Sequence, residues 1–177
     1  QLLETAQALR SSGKVQIFRA GIWKPRTHPA GFEGKGEEAL KWLRNVKQLM
    51  DFMTAVEVGS PRHVELALEN QVDVLWIGAR TTVNPFMVSE IAQAVKGSDV
   101  AVMVKNPVNP DLDSWVGAIE RIHQAGIKKL AAIHRGFFFF HKTPWRNAPM
   151  WEIPIELKRI CPCLPIIVDP SHICGKT

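Results

Sequence analysis

The chain has 177 residues, of which 46% are hydrophobic, and a formal net charge of +5. This length and apolar content predict a single globular domain over residues 1–177 and exclude a disordered or low-complexity chain. The positive charges are mixed with Asp and Glu and lack interleaved aromatic residues, which argues against nucleic-acid binding and favours small anionic ligands.

The cysteines and the apolar runs indicate the compartment. The three Cys are an odd number in a long chain, so we expect no disulfide framework and a reducing, cytoplasmic location. No run reaches the roughly 18 apolar residues that cross a bilayer, so we expect no membrane partner. Because the chain begins at Gln1 without Met and stops at Thr177 within a loop-like segment, we expect both ends to be truncated.

Hydrophobic spacing predicts that helices and strands alternate along the chain. The predicted helices cover residues 2–10, 37–50, 61–70, 85–95, 112–124 and 153–160. The predicted strands cover residues 15–18, 52–58, 74–77, 100–104, 130–133 and 165–168. These strands are continuous apolar runs, as expected for a parallel sheet that is covered on both faces.

The fold class follows from this alternation. It is α/β, and the absence of a Gly-x-Gly-x-x-Gly motif favours a TIM (β/α)8 barrel over a doubly wound sheet. Polar or charged groups follow every predicted strand, which also suits a barrel, since its site residues come from many strands. A complete barrel has eight strands and about 250 residues. We therefore expect about six of the eight strands, with the first and last units missing.

Cationic side chains are concentrated after the first predicted strand. The segment FRAGIWKPRT, residues 18–27, contains Arg19, Lys24, Arg26 and Thr27. Planar Arg donors and the mobile charge of Lys suit an anion that carries both phosphate and carboxylate groups. A solvated basic loop is the alternative, but similar groups follow the later strands. These groups are Glu57, Arg80, Lys105, Arg135 and His172.

Six motifs occur in order at the predicted strand ends. They are FRAGIWKPRT (18–27), Glu57, WIGARTT (76–82), VKNPVNPD (104–111), IHRG (133–136) and DPSHICGK (169–176). Together they resemble 3-deoxy-D-arabino-heptulosonate 7-phosphate (DAHP) synthases of type I, of the short, barrel-only kind. The resemblance implies a transferase that condenses phosphoenolpyruvate with erythrose 4-phosphate and releases phosphate. This reaction opens the shikimate pathway to chorismate and the aromatic amino acids.

The resemblance also implies roles for the residues that would bind phosphoenolpyruvate. Arg19, Lys24 and Lys105 would face its carboxylate and the reacting carbons, with Lys24 as a candidate proton donor. Arg80 and Arg135 would hold its phosphate.

Other matched residues would serve the second substrate and a metal. Arg26 and Thr27 would bind the phosphate of the sugar. Glu57 would position a water or an arginine, and it joins Lys24 and Lys105 as a catalytic candidate. His172 would bind a divalent cation, for which Mn, Fe, Co and Zn are all plausible identities, and the metal would polarise the aldehyde oxygen. The resemblance also implies a homo-oligomer at full length.

Structural roles are open for several of these residues. Glu57 could form a buried salt bridge with Arg80 or Lys105 instead of positioning a reactant. We interpret His134 as a buried histidine with satisfied ring nitrogens, and not as a second metal ligand. Asn106 is expected to fix its loop and not to touch substrate.

Two features depart from the family pattern. The family's metal site adds a Cys, a Glu and an Asp to the His, and we expect these outside residues 1–177, so the chain alone should be inactive. We interpret Cys161 and Cys163 as structural and Cys174 as incidental. The other departure is the run of phenylalanines at 137–140, which we expect to be exposed and to pack on another subunit.

Two other functions compete with this interpretation. The first is 3-deoxy-D-manno-octulosonate 8-phosphate synthase, which shares the barrel and the phosphoenolpyruvate chemistry. That family typically has a loop of the K-A-N-R-S type where this chain has Lys24-Pro25-Arg26-Thr27. The resemblance of this loop therefore favours the four-carbon sugar as the second substrate. The second is a phosphoenolpyruvate-binding remnant that has lost its catalytic activity.

Overall fold

The computed structural model describes residues 1–26, 28 and 30–175. The strands are β1 (Ile17–Arg19), β2 (Met53–Val58), β3 (Val74–Ile77), β4 (Ala101–Lys105), β5 (Leu130–His134) and β6 (Ile166–Val168). The helices are α1 (Leu2–Ser12), α2 (Glu37–Met50), α3 (Pro61–Glu69), α4 (Ala79–Thr82), α5 (Pro85–Val95), α6 (Leu112–Gln124), α7 (Glu152–Ile160) and α8 (Pro170–Ile173). None of the helices in these ranges is long and apolar enough to cross a membrane.

The strands form one parallel sheet in the order β1-β2-β3-β4-β5-β6. Strands that follow one another in sequence are therefore neighbours in space, as in a (β/α) barrel, whereas a doubly wound sheet reverses its order at a switch point. The predicted α/β fold with six barrel strands is confirmed. Because the strands are parallel, their carboxyl ends all lie at one edge of the sheet.

The two faces of the sheet are buried differently because successive side chains of a strand alternate between them. Val56 and Leu75 belong to the large core that the helices cover. Their neighbours Ala55, Val74 and Trp76 form a smaller cluster on the opposite, inner face. Glu57 lies beside Trp76 in the register of β2 and β3. A carboxylate therefore lies next to an indole at the carboxyl-terminal edge of the inner face.

Side-chain caps fix where the helices begin after the strands. The Ser60 hydroxyl accepts a hydrogen bond from the backbone N–H of His63, with Pro61 at the first helical position. Asn84 caps α5 in the same way. These caps make the strand-to-helix connections short and well defined.

Two segments outside the predicted helices and strands form single helical turns, α4 and α8. In α4 the Thr82 hydroxyl lies 3.1 Å from the Gly78 carbonyl and 2.9 Å from the Lys105 carbonyl, which stabilises the turn. In α8 Pro170 occupies the first turn. As a result, Arg80 and His172 project from helical turns at the ends of β3 and β6. The first strand also begins later than predicted, at Ile17.

The phenylalanine run is divided between core and surface. Phe137 is completely buried and packs edge-to-face against Trp115, with ring centroids 6.5 Å apart. Phe138, Phe139 and Phe140 are exposed. The prediction of exposure is therefore wrong for Phe137, whose backbone N–H is held 2.8 Å from the Ala148 carbonyl. Contact of the other three with a second subunit stays a prediction.

Candidate active site

One cavity of about 1050 Å³ lies at the carboxyl-terminal edge of the sheet. It is lined by every predicted site residue that the structure describes. These residues are Arg19, Lys24, Arg26, Glu57, Arg80, Lys105, Arg135 and His172. Thr27, the remaining predicted residue, lies outside the described part of the chain. Residues that are separated by more than a hundred positions in sequence therefore share one site.

The inner face contributes an indole between two cations. The Trp76 ring centroid lies 5.1 Å from the Arg19 guanidinium carbon and 5.8 Å from the Lys105 nitrogen, within cation–π range. Trp76 Nε1 donates a 3.0 Å hydrogen bond to Glu57 Oε2. Within the described ranges Glu57 has no ion pair with Arg80 or Lys105, so the salt-bridge alternative is wrong for this structure. Trp76 was not predicted as a site residue.

Glycine at position 78 permits this arrangement of Glu57. A Cβ atom at Gly78 would overlap the Glu57 carboxylate, with Oε1 as the nearest atom. Any larger side chain would therefore have to displace Glu57 from its hydrogen bond with Trp76.

A carboxylate joins two of the predicted residues. Asp169 Oδ2 lies 3.2 Å from Lys105 Nζ and 2.8 Å from His172 Nδ1, while Oδ1 accepts a 2.7 Å hydrogen bond from the Ser171 hydroxyl. Burial opposes ionisation of Asp169. The hydrogen bonds from His172 and Ser171 and the charge of Lys105 outweigh that effect and hold the pKa of the carboxyl well below its usual range. Lys105 therefore faces a permanent carboxylate.

Two buried asparagines hold Arg135. Its backbone N–H donates to Asn106 Oδ1 over 2.7 Å, and its Nη1 donates to Asn147 Oδ1 over 2.9 Å. Asn106 also donates to the Gly136 carbonyl, which confirms that it fixes its loop. Asn147 donates to the His172 carbonyl over 2.6 Å. The guanidinium of Arg135 and the backbone carbonyl of His172 are thus connected through one amide side chain.

The segment after β1 is held over the cavity by main-chain contacts. Lys24 N–H donates to the Glu33 carbonyl over 2.8 Å, and Arg26 Nε donates to the Phe32 carbonyl over 3.0 Å. Arg80 Nη1 donates to the Pro25 carbonyl over 3.2 Å. The end of β3 therefore supports the loop that contains Lys24 and Arg26.

The described lining of the cavity is strongly positive, with seven Lys and Arg side chains and a single acidic one, Glu57. The pKa of Arg135 is lowered by burial, which the charge of Asp169 opposes and the charges of Arg146 and Arg80 reinforce. Guanidinium groups that crowd together in this way favour binding of a polyanion, because it relieves their mutual repulsion.

His172 is the predicted metal ligand, and its imidazole ring is oriented by a neighbouring carboxylate. His172 Nδ1 is engaged by Asp169, which directs Nε2 away from that carboxylate, and such carboxylate–histidine pairs typically orient metal ligands. Across residues 1–26, 28 and 30–175, no group of three or more His, Cys, Asp or Glu side chains could hold a metal. The orientation of His172 is compatible with metal binding, and its role as a ligand stays a prediction.

His134 is structural, but not in the predicted way. It is fully buried between Phe137 and Trp151, with ring centroids 5.8 and 4.9 Å away. Neither ring nitrogen has a hydrogen-bond partner among the described residues, so the prediction of satisfied nitrogens is wrong. Burial lowers its pKa, which the carbonyl of Pro149 opposes without satisfying hydrogen-bond geometry.

Several cavity residues have no clear signal in the sequence. Arg146 and Asn147 lie in an irregular segment between β5 and α7 that has no periodic pattern. Asp169 belongs to a quoted motif, but only its contacts indicate a role. Neither Arg146 nor Asn147 directly follows a predicted strand, so the sequence pattern does not mark either residue as part of the site.

A sequential parallel sheet with a cation-lined cavity at its carboxyl-terminal edge defines a barrel-type protein whose cavity suits an anionic ligand. The sequence profile of the DAHP synthetase I family matches residues 1–177, and the chain belongs to this family. This confirms the family that the motifs predicted.

Known proteins of Thermotoga maritima are similar to the chain. A phospho-2-dehydro-3-deoxyheptonate aldolase of this organism is 30% identical over 175 residues, which cover 99% of this chain and 49% of the relative. A crystal structure of that enzyme, also called DAHP synthase, has a TM-score of 0.80 at 29% identity and is matched over 48% of its length by 98% of this chain.

A truncated form of the Thermotoga DAHP synthase has a TM-score of 0.76 at 28% identity. The match covers 99% of this chain and 60% of that structure. The chain thus spans about half the length of the curated relative and of its full crystal structure.

Proposed function

We propose that the protein is a metal-dependent DAHP synthase that condenses phosphoenolpyruvate with erythrose 4-phosphate, and that residues 1–177 belong to a single barrel domain of it. The observation that carries the proposal is the convergence of the predicted cations on one cavity. The two substrates together bring about five negative charges, if each phosphate carries nearly two. A cavity lined by several fixed cations and one acidic side chain suits two substrates with this much negative charge.

Phosphoenolpyruvate would lie along the inner end of the cavity. Its phosphate would be held by Arg80 and by Arg135, whose guanidinium is oriented in advance by Asn147. Its carboxylate would face Arg19 and Lys105. Fixed arginines stabilise the phosphate as it departs, because they are already in place when its charge develops.

The proton would come from Lys24, while Lys105 serves as an electrostatic group. Lys105 is paired with the Asp169 carboxylate, which supports its ammonium form and fixes its position. Lys24 has its backbone tied to Glu33 and its ammonium 5.8 Å from the Phe32 ring centroid. Its side chain is thus free of carboxylate partners within the described ranges and can approach a reacting carbon.

The second substrate would lie under the loop that follows β1. Arg26 and Thr27 would bind its phosphate, and Glu57, held by Trp76, would position the water that the reaction consumes. His172 would be one ligand of a divalent metal, and the bound metal would supply Lewis-acid polarisation of the aldehyde.

Turnover by the full-length gene product tests this proposal. Phosphate release should require phosphoenolpyruvate and erythrose 4-phosphate, should stop after chelation, and should return when a divalent metal is added. Faster turnover with arabinose 5-phosphate would identify the eight-carbon synthase instead. Binding of phosphoenolpyruvate without turnover under any metal condition would identify a non-catalytic remnant.

A further inference from the structure

We propose that Arg146 is a third phosphate-binding residue, which completes with Arg80 and Arg135 a three-arginine site for the phosphate monoester of phosphoenolpyruvate. The inference rests on the proposed function and extends it by a residue outside every motif that indicated the family. All three side chains line the same cavity.

The backbone around Arg146 is fixed on both sides. Its N–H donates to the Ile173 carbonyl over 3.0 Å, which joins the segment to α8. The next residue, Asn147, donates to the His172 carbonyl and accepts from Arg135. Arg146 is therefore placed by the same network that orients the guanidinium of Arg135.

The turn after β5 requires this close approach. Gly136 has a φ of 74°, a conformation that favours glycine, and a Cβ atom there would lie 2.6 Å from the Asn147 carbonyl oxygen. The segment that contains Arg146 thus packs directly against the backbone that follows Arg135. This contact brings a residue from an irregular segment to the phosphate end of the cavity.

The charge of Arg146 is not neutralised within the described ranges. No carboxylate there lies within ion-pair distance of its guanidinium, although six other Lys and Arg side chains have such partners. Its field lowers the pKa of Arg135, as does the field of Arg80. The three guanidinium groups repel one another, and a bound dianion would offset this repulsion.

The side chain of Arg146 is exposed and forms no hydrogen bond or ion pair with residues 1–26, 28 or 30–175, whereas Asn147 beside it is buried. Arg146→Ala keeps the backbone N–H that binds Ile173, so the variant should fold. Arg146→Lys keeps the charge but loses the planar fork of donors. Arg44→Ala removes the same charge from an exposed position of α2, outside the cavity, and is the matched control.

The test is calorimetric titration of the full-length gene product with phosphoenolpyruvate, inorganic phosphate and erythrose 4-phosphate. Arg146→Ala should weaken binding of phosphoenolpyruvate and inorganic phosphate roughly 10-fold to 100-fold, as expected for loss of a charged hydrogen bond. Arg146→Lys should fall between this variant and the unmodified protein. Arg44→Ala should bind all three ligands as the unmodified protein does.

Three results would overturn the inference. If Arg146→Ala matches Arg44→Ala while Arg135→Ala loses phosphoenolpyruvate binding, Arg146 is a solvated arginine and the proposed function still stands. If Arg146→Ala weakens only erythrose 4-phosphate, the residue belongs to the other substrate. If the unmodified protein binds neither phosphoenolpyruvate nor inorganic phosphate, the inference and the proposed function both fail. Weaker phosphate binding by Arg146→Ala in a protein without turnover would contradict the proposed function alone.

Discussion

The ammonium of Lys105 lies 3.2 Å from Oδ2 of Asp169, in an ion pair that joins the end of β4 to the segment after β6. The side chains are only 7% and 10% exposed. Removing one member of so buried a pair leaves the other charge without compensation, which costs more than the pair itself contributes.

Asp169→Asn should therefore destabilise the protein by about 3 kcal/mol, the range typical of a broken buried ion pair. Chemical denaturation measures the change. Asp99→Asn is the matched control because it breaks an exposed pair with Lys129, and it should cost at most about 1 kcal/mol. Equal effects of the two substitutions would show that the Lys105 pair has no special importance.

Gly78→Ala should displace Glu57 and disrupt its hydrogen bond with Trp76. We expect a loss of about 1 kcal/mol in the free energy of unfolding, since the end of the flexible Glu57 side chain can shift but loses its hydrogen bond, together with a lower turnover rate. Gly59→Ala is the control, because its Cβ would meet Thr81 Oγ1 at 3.6 Å, an ordinary contact.

The same substitution can be examined by a double-mutant cycle. In a Glu57→Ala background the new methyl group no longer overlaps a carboxylate. Gly78→Ala should therefore change the free energy of unfolding very little in that background. An equal cost of Gly78→Ala in both backgrounds would mean that Glu57 is not what the new methyl group meets.

The buried imidazole of His134 predicts a pH dependence of stability. Burial lowers its pKa in the folded protein below the ordinary value of 6.5. As the pH falls below about 6.5, the unfolded chain takes up a proton that the folded protein does not, so stability declines. His134→Phe should reduce the difference between unfolding free energies measured at pH 7.5 and pH 5.5. An unchanged difference would show that another group causes the decline.

The exposed phenylalanines predict self-association. Phe138, Phe139 and Phe140 form a short apolar surface, with Phe140 86% exposed. If this surface packs on another subunit, Phe140→Ser should weaken the assembly while the buried Phe137 keeps the fold intact. Light scattering of the full-length gene product measures the mass, and a soluble monomer before any substitution would contradict the prediction.

The sequence predicts the bounds of some helices and strands more accurately than those of others. Long amphipathic segments and apolar runs have clear periods, so α2, α5 and α6 begin and end where predicted. The one-turn helices α4 and α8 are too short for a period. Each is held by a long-range hydrogen bond: the Thr82 hydroxyl of α4 donates to the Lys105 carbonyl, and the Ile173 carbonyl of α8 accepts from the Arg146 N–H. Such tertiary contacts are not visible in a local pattern.

The same distinction holds for the cavity. Arg19, Lys105 and Arg135 are predictable because they follow apolar strands, whose carboxyl ends meet at one edge. Arg146 follows no strand, and the turn at Gly136 together with the hydrogen bond to the Ile173 carbonyl brings it to the site. Trp76 lies in an apolar strand and therefore looks like a core residue in the sequence. Its contacts with Glu57 and two cations depend on the register of the sheet.

A crystal structure of the full-length gene product with phosphoenolpyruvate bound would test the central claim most directly. We predict that the phosphate lies against the guanidinium groups of Arg80 and Arg135, with the carboxylate near Arg19 and Lys105. Phosphoenolpyruvate bound away from this cavity, or a phosphate held by neither arginine, would contradict the account.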